Sequence, residues 1–87
     1  VSIGENDFVS KTLIYPIPAK DILHLERLNR INLISIYSLD GRKIMDQNLS
    51  ASELEVDLEL SSIPNGTYMI VLHGEEGYHS KLFMISR

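Results

Sequence analysis

The chain has 87 residues, of which 44% are hydrophobic and 23% charged, and it contains no cysteine. That length accommodates one small domain, and the lack of cysteine excludes both disulfides and thiolate metal sites. Acidic residues outnumber basic ones by 12 to 8, so the formal net charge of −4 argues against a nucleic-acid partner. No apolar run approaches the roughly 20 residues that a membrane-spanning helix needs.

The first 11 residues are weakly patterned. They carry neither the basic flank nor the apolar stretch of a signal peptide, and Gly4-Glu5-Asn6-Asp7 is typical of a linker. We therefore expect residues 1–11 to be a linker from an upstream cargo domain of a longer protein. Residues 12–87 then form the domain itself.

Short apolar runs separated by turn signals indicate strands from here to the end of the chain. The first two predicted strands cover residues 10–15 and 21–26. Pro16 and Pro18 lie between them and cannot donate hydrogen bonds to a strand ladder. We expect the proline segment at a sheet edge or between two sheets.

Two further strands are predicted over residues 32–37 and 42–49. The Asp40-Gly41 step between them is a strong hairpin signal, because glycine accepts a positive φ angle without strain. Residues 53–60 alternate strictly between acidic and apolar side chains, which favours a half-buried strand over a helix. The apolar positions of that strand are Leu54, Val56, Leu58 and Leu60.

The last two predicted strands cover residues 67–73 and 78–87. A proline turn, Ile63-Pro64-Asn65-Gly66, precedes the first of them. Tyr68 follows this turn closely and is typical of a corner tyrosine, whose ring packs while its hydroxyl binds a loop. About seven strands and no helix predict an all-β fold, an immunoglobulin-like antiparallel β-sandwich.

No group of residues predicts catalysis or metal binding. His24, His73 and His79 are isolated, and none has the spacing of a metal-binding motif. His73 and His79 flank the last hairpin and face each other only if its loop has an odd number of residues. There is no nucleophile elbow and no glycine-rich phosphate loop. We predict a protein without catalytic residues, metal ligands or cofactors, and not an enzyme.

Four segments, in this order, resemble the type A C-terminal sorting domains of the type IX secretion system. The resemblance covers residues 12–87, with Ile17 in place of the usual asparagine between the prolines. The four segments are Tyr15-Pro16-Ile17-Pro18-Ala19-Lys20-Asp21-Ile22-Leu23, Ile36-Tyr37-Ser38-Leu39-Asp40-Gly41-Arg42, Ser61-Ser62-Ile63-Pro64-Asn65-Gly66-Thr67-Tyr68 with Asp57-Leu58 ahead of it, and Lys81-Leu82-Phe83-Met84-Ile85-Ser86-Arg87.

The resemblance implies a function and partners. Such domains lie at the C-terminus of secreted Bacteroidetes proteins, fold in the periplasm and direct their cargo through the outer-membrane translocation machinery. A sortase-type surface peptidase often removes them and attaches the cargo to a lipopolysaccharide. The expected location is therefore secreted or cell-surface, and the expected state is a monomer or weak dimer that does not span the membrane.

The residues expected to be recognised are a hypothesis. An unpaired sheet edge can pair with a receptor strand, which favours the final strand and the turn beside it. The candidates are Lys81, Phe83, Ile85, Arg87, Gly66 and Tyr68. A structural role in the family motifs is expected for Tyr15, Pro16, Pro18, Asp40, Gly41 and Pro64.

Two other functions stay open at this point. The first is an immunoglobulin-like accessory module for adhesion or carbohydrate binding, which would need an aromatic platform or a calcium loop. The second is a structural spacer within a long surface protein.

Overall fold

A computed structural model describes residues 12–50, 52–75 and 77–87, and the regular secondary structure in these ranges is β-strand. Each predicted strand is present, with bounds that differ by one to three residues. Residues 10 and 11 of the first predicted strand, and the linker assigned to residues 1–11, lie outside the described residues. The described ranges hold no helix long and apolar enough to cross a bilayer. In chain order the strands are β1 (Leu13–Tyr15), β2 (Ile22–Glu26), β3 (Ile31–Ser38), β4 (Lys43–Asn48), β5 (Glu55–Glu59), β6 (Gly66–Gly74) and β7 (Gly77–Ile85).

The strands form two antiparallel sheets, which confirms the predicted β-sandwich. Sheet A has the order β1-β2-β5, and sheet B has the order β4-β3-β6-β7. The chain crosses from one sheet to the other after β2, after β4 and after β5. The edges of sheet B are therefore β4 and β7, and those of sheet A are β1 and β5.

The core lies between the sheets and is built from alternate positions of each strand, because successive side chains of a strand point to opposite faces. The predicted alternation of residues 53–60 is confirmed at Leu58 in β5 and at Leu60 just after it, which are both buried. Leu54 differs from the prediction, since β5 begins only at Glu55 and leaves the Leu54 side chain 52% exposed. Other core side chains are Leu23, Leu25, Ile34, Ile36, Ile70, Leu72, Phe83 and Ile85.

The Asp40-Gly41 step forms the predicted turn of the β3–β4 hairpin. Gly41 has a φ angle of +93°, a conformation that side-chain-bearing residues rarely adopt. Its amide donates to the Ser38 carbonyl at 3.0 Å, and the Ser38 amide donates to the Arg42 carbonyl at 2.9 Å. The Asp40 carboxylate accepts the Ser38 hydroxyl, and this bond holds the pKa of Asp40 below its ordinary value.

Candidate recognition surface

The final strand, β7, is an edge of sheet B and pairs with β6 along its whole length. Phe83 and Ile85 point into the core, where they are 2% and 1% exposed. Lys81 points to the same side of the strand but lies at the rim, where it is exposed. Of the recognition candidates in β7, only Lys81 is thus available to a partner without unfolding.

Lys81 lines a narrow crevice between β1 and β7. Its position in the register is opposite Ile70 of β6, and Thr12 lines the same crevice from the β1 side. Thr12 is the first residue that the structure describes. Thr12 therefore lies beside the middle of β7.

Ala19 covers one end of the outer edge of β7. The Ala19 amide donates to the Met84 carbonyl at 2.8 Å, and the Ser86 amide donates to the Ala19 carbonyl at 2.8 Å. This parallel bridge places the residue after the prolines against sheet B, so the proline segment lies between the two sheets, as predicted. The Ala19 side chain is fully buried.

The rest of that edge is open among the described residues. Backbone groups of successive residues in a strand point to opposite sides, so those of every second residue point to the same side. Because the Met84 carbonyl points away from β6 to Ala19, the amides and carbonyls of Ser80 and Leu82 point to the same outer side. Within the described ranges no backbone group pairs with them there.

Arg87 fastens the end of the chain to three other segments. Its Nε donates to Asp21 Oδ1 at 2.8 Å, and its Nη1 donates to Asn65 Oδ1 at 3.1 Å. Nη2 donates to the Leu60 carbonyl, and the Arg87 amide donates to Asn65 Oδ1 at 3.3 Å. A guanidinium suits this position because its donors are fixed in one plane and point in several directions.

Gly66 and Tyr68 support the strand beside β7. The Tyr68 hydroxyl donates to the Pro64 carbonyl at 2.6 Å, which confirms the predicted corner tyrosine. Its ring packs against Phe83 with centroids 6.1 Å apart. A Cβ at Gly66 would lie 3.6 Å from the Tyr68 ring, and the φ angle of Gly66 is +155°. Gly66 is paired with Ile85, at the end of the ladder.

Tyr15, Pro16 and Pro18 lie where the chain leaves β1. The Tyr15 hydroxyl donates to Glu26 Oε1 at 2.9 Å, and this bond raises the pKa of Tyr15. Pro16 and Pro18 are exposed, and the peptide bonds before both prolines are cis.

A histidine and two carboxylates form a polar cluster on the outer face of sheet A. His24 Nδ1 is hydrogen-bonded to Asp57 Oδ1, and His24 Nε2 lies 3.1 Å from Glu26 Oε1. The hydrogen bond to Asp57 is the main cause that raises the pKa of His24. The hydrogen bond from Tyr15, followed by that from His24, lowers the pKa of Glu26. His24 is isolated in the sequence, because Asp57 reaches it only through the β2–β5 register.

His73 and His79 lie on opposite faces of sheet B. The register pairs His73 with Tyr78 and Leu72 with His79, so the two histidines do not face each other. Across the described residues, no group of three or more His, Asp or Glu side chains has an arrangement that could hold a metal ion.

Three of the four resemblance segments meet around Arg87. Asp21 comes from the first, Asn65 from the third and Arg87 from the fourth. Arg87 is a candidate from the sequence alone, whereas Asp21, Asn65 and the bridge of Ala19 are not. The only available signal was that these residues belong to the motifs, since 66 positions separate Asp21 from Arg87.

The chain matches the model of the secretion system C-terminal sorting domain over residues 13–86. No curated protein matches it. The match spans most of the chain, from β1 to the residue before Arg87, so the chain belongs to this family of sorting domains.

The domain is the C-terminal sorting signal of the type IX secretion system, which directs a larger protein across the outer membrane. The family is not an enzyme family, and its role implies an interaction with the secretion machinery. The protein that carries such a domain is secreted or displayed at the cell surface.

Proposed function

We propose that residues 12–87 fold in the periplasm and that the outer-membrane translocation machinery recognises them along the open edge of β7. The cargo lies ahead of residue 12 and is carried out with the domain. Membership of the sorting-domain family supports the destination of the cargo. The open backbone groups of Ser80 and Leu82 support the mode of recognition, since such an edge can pair with a strand of another protein.

The edge of β7 is suited to reversible pairing. The bridge of Ala19 closes one end of the edge, which leaves a short stretch for a partner strand. Lys81 projects beside this stretch and can contact an acidic group of a partner. Arg87, Gly66 and Tyr68 act by holding β7 in place, and Phe83 and Ile85 act by anchoring it in the core.

The second part of the proposal concerns cleavage. A sortase-type surface peptidase cuts a peptide bond within residues 1–11, and the released cargo is attached to a lipopolysaccharide. Thr12, the residue that follows the proposed linker in the sequence, lies beside Lys81, and this proximity to the proposed recognition edge supports this part. Mass spectrometry of the secreted cargo would locate its new C-terminal residue, and a cargo that retains residues 12–87 would contradict cleavage.

A proline substitution tests edge recognition directly. The Ser80 amide points away from β6, so Ser80→Pro removes a donor for a partner strand but none for the sheet. We expect a fluorescent cargo fused ahead of the Ser80→Pro domain to stay in the cell, while the wild-type fusion is secreted. Circular dichroism and the melting temperature of the purified variant would verify that it folds.

Two matched controls accompany this variant. Asn48→Pro places a proline on the outer side of β4, the other edge of sheet B, because the Leu49 amide points inward to the Asn32 carbonyl. Ser80→Ala removes only the hydroxyl. Both controls should be secreted like the wild type. Normal secretion of a folded Ser80→Pro fusion would rule out pairing along this edge.

A further inference from the structure

Asn65 differs from the other asparagines of the chain in the residue that follows it. The sequence contains five asparagines, and only Asn65 precedes a glycine. Asparagine is a thermolabile residue, because the backbone nitrogen of the next residue can attack its side-chain amide. A following glycine allows this attack most readily, since it has no side chain to shield the nitrogen. Asn65 therefore has the greatest intrinsic tendency of the five to lose its amide group.

The reaction at this dipeptide is a deamidation that consumes only water. The Gly66 nitrogen gives up its proton to a base and forms a bond with the side-chain carbonyl carbon of Asn65, while the bond from that carbon to Nδ2 breaks. Ammonia leaves, and a cyclic succinimide joins the two residues. Water then opens the ring at either of its carbonyl carbons. No electron is transferred, so the reaction requires no oxidant or reductant.

The two products have different consequences for the fold. Ring opening at the former side-chain carbon gives aspartate and restores the original backbone. Ring opening at the main-chain carbon gives isoaspartate, in which the backbone runs through the side chain and is longer by one methylene group. Gly66 and Ile85 form the end of the β6–β7 ladder, so the longer backbone shifts the start of β6 against Ile85. Isoaspartate is thus a permanent change at the place where β7 is fixed.

The fold makes use of both residues of this dipeptide. Gly66 has a φ angle of +155°, which residues with a side chain rarely adopt, so glycine is favoured at the start of β6. The Asn65 side-chain oxygen accepts from the Arg87 amide at 3.3 Å and from Arg87 Nη1 at 3.1 Å. The reactive pair is therefore a consequence of the turn and of the contact with Arg87.

The bonds from Arg87 restrain the Asn65 side chain, although it is exposed to solvent. We call the contacts of the Arg87 side chain with Asp21, Asn65 and the Leu60 carbonyl the Arg87 clamp. The Asn65 amide plane must turn for its carbon to meet the Gly66 nitrogen, and an oxygen that is held by two donors resists such a turn. Hydrogen bonds, and not burial, thus oppose the reaction.

The Gly66 nitrogen is restrained as well. The Met84 carbonyl and the Ser86 amide point away from β6 to Ala19. The backbone groups of Ile85, which lies between them, therefore point to β6, where Gly66 is the partner. The Gly66 amide is part of the ladder and must leave it to attack the preceding side chain. Both reactants are released together only when the end of β7 separates from β6.

We propose that Asn65 is a deamidation site that the Arg87 clamp keeps inactive while the end of β7 is in place. A domain in which β7 comes loose, or which stays unfolded, gains isoaspartate at position 65. The modification marks such a chain permanently at the turn that holds its last strand. This inference goes beyond the proposed function and does not depend on it, since it concerns the chemistry of the domain alone.

Incubation of the purified 87-residue chain at mildly alkaline pH tests the inference. Mass spectrometry of proteolytic fragments detects the exchange of the Asn65 amide for a carboxyl group. The folded wild type should react slowly, and the same chain unfolded in urea should react much faster. Arg87→Ala removes the guanidinium contacts and should raise the rate in native buffer about tenfold, the effect of losing one or two net hydrogen bonds that oppose local opening.

Gly74→Ala is the control for general destabilisation. A Cβ at Gly74 would lie 2.2 Å from the Arg30 carbonyl oxygen, so this variant is destabilised at the opposite end of the β6–β7 ladder from Gly66. Its rate of deamidation at Asn65 should stay close to that of the wild type, because the Arg87 clamp is intact.

Asp21→Ala gives an intermediate case. It removes one partner of the Arg87 clamp and leaves the contacts between Arg87 and Asn65, so its rate should lie between those of the wild type and Arg87→Ala. Circular dichroism shows whether each variant folds, and Asp21→Ala takes the place of Arg87→Ala if the latter does not. Asn48, which precedes Leu49, is the internal control of every sample and should stay unmodified.

Four outcomes would overturn the inference, and none of them involves secretion, so they are distinct from a failure of the proposed function. If folded Arg87→Ala reacts at the wild-type rate, the Arg87 clamp does not protect Asn65. If it reacts more slowly, the guanidinium polarises the Asn65 carbonyl instead of restraining it. If Gly74→Ala reacts as fast as Arg87→Ala, global unfolding controls the reaction. Equal rates for the folded and the unfolded wild type would show that the fold gives no protection.

Discussion

The Arg87 guanidinium binds the Asp21 carboxylate, with Nε 2.8 Å from Oδ1, and so joins the two sheets. Asp21 leads into β2 of sheet A, and Arg87 follows β7 of sheet B. The same guanidinium contacts Asn65, in the turn before β6. Together with the β6 ladder and the Ala19 bridge, this side chain helps to hold the end of β7 beside the edge that we propose is recognised.

Arg87→Lys should destabilise the domain although it keeps the charge. A lysine ammonium cannot reach three acceptors in three directions as the guanidinium does. We expect a loss of about 1 kcal/mol in the free energy of unfolding, the net contribution of one or two hydrogen bonds. Urea denaturation measures it. Arg42→Lys, in the exposed β3–β4 turn, is the control and should change nothing.

Equal stability of Arg87→Lys and the wild type would mean that the guanidinium contacts do not hold β7. Secretion gives a second result from the same variant. If a folded Arg87→Lys domain is secreted normally, Arg87 acts only by positioning the strand, as we propose.

Tyr68→Phe should remove one hydrogen bond and leave the packing intact. The lost bond is the 2.6 Å contact from the Tyr68 hydroxyl to the Pro64 carbonyl. The expected decrease in the free energy of unfolding is about 1 kcal/mol. Tyr78→Phe serves as the control because its side chain is 71% exposed, and its unfolding should match the wild type. Urea denaturation measures the change. If the urea midpoint of Tyr68→Phe equals that of the control within error, the hydrogen bond from Tyr68 to Pro64 contributes no stability.

Gly74→Ala should destabilise the start of the last hairpin. A Cβ at Gly74 would lie 2.2 Å from the Arg30 carbonyl oxygen, so the backbone must move apart. Overpacking of this kind costs about 1–3 kcal/mol. Thermal unfolding of Gly74→Ala against Ser80→Ala, an exposed site in the next strand, measures the cost. An unchanged melting temperature would show that the backbone near Arg30 can move away freely.

The His24 cluster should make stability depend on pH. The carboxylates of Asp57 and Glu26 raise the pKa of His24 in the folded protein above its ordinary value of 6.5. The stabilisation is therefore fully present below the unfolded pKa and is lost as the pH rises through the folded pKa. The difference in urea midpoint between wild type and His24→Gln should be larger at pH 5.5 than at pH 9.

Asp57→Asn is the matched variant for this prediction. It removes the main partner of the imidazolium, so it should lose most of the same pH dependence. Measurements above pH 5 avoid the titration of Glu26, whose pKa is lowered in the folded state. A midpoint difference between wild type and His24→Gln that grows with pH would contradict the sign of this effect.

Local patterns were sufficient to predict the strands and the turns. The alternation in residues 53–60 and the Asp40-Gly41 step each depend on neighbours in the sequence, and the structure confirms both a β5 strand and a β3–β4 turn. The corner role of Tyr68 could also be predicted, since its partner Pro64 is only four residues away.

Contacts between distant segments could not be predicted, because they depend on how strands are paired. His24 meets Asp57 across 33 positions, and Arg87 meets Asp21 across 66. The exposure of Leu82 and Met84 could not be predicted for a related reason. The run 82–85 is visible in the sequence, but only the sheet order shows that β7 is an edge with one uncovered face.

Secretion of a fluorescent protein fused ahead of residues 1–87 is the most direct test of the sorting function. The fusion is expressed in a type IX-competent host and in the same host without the translocon. The account predicts that the fluorescent protein reaches the medium or the cell surface only when the translocon is present. A folded fusion that stays in the periplasm of both hosts would contradict it.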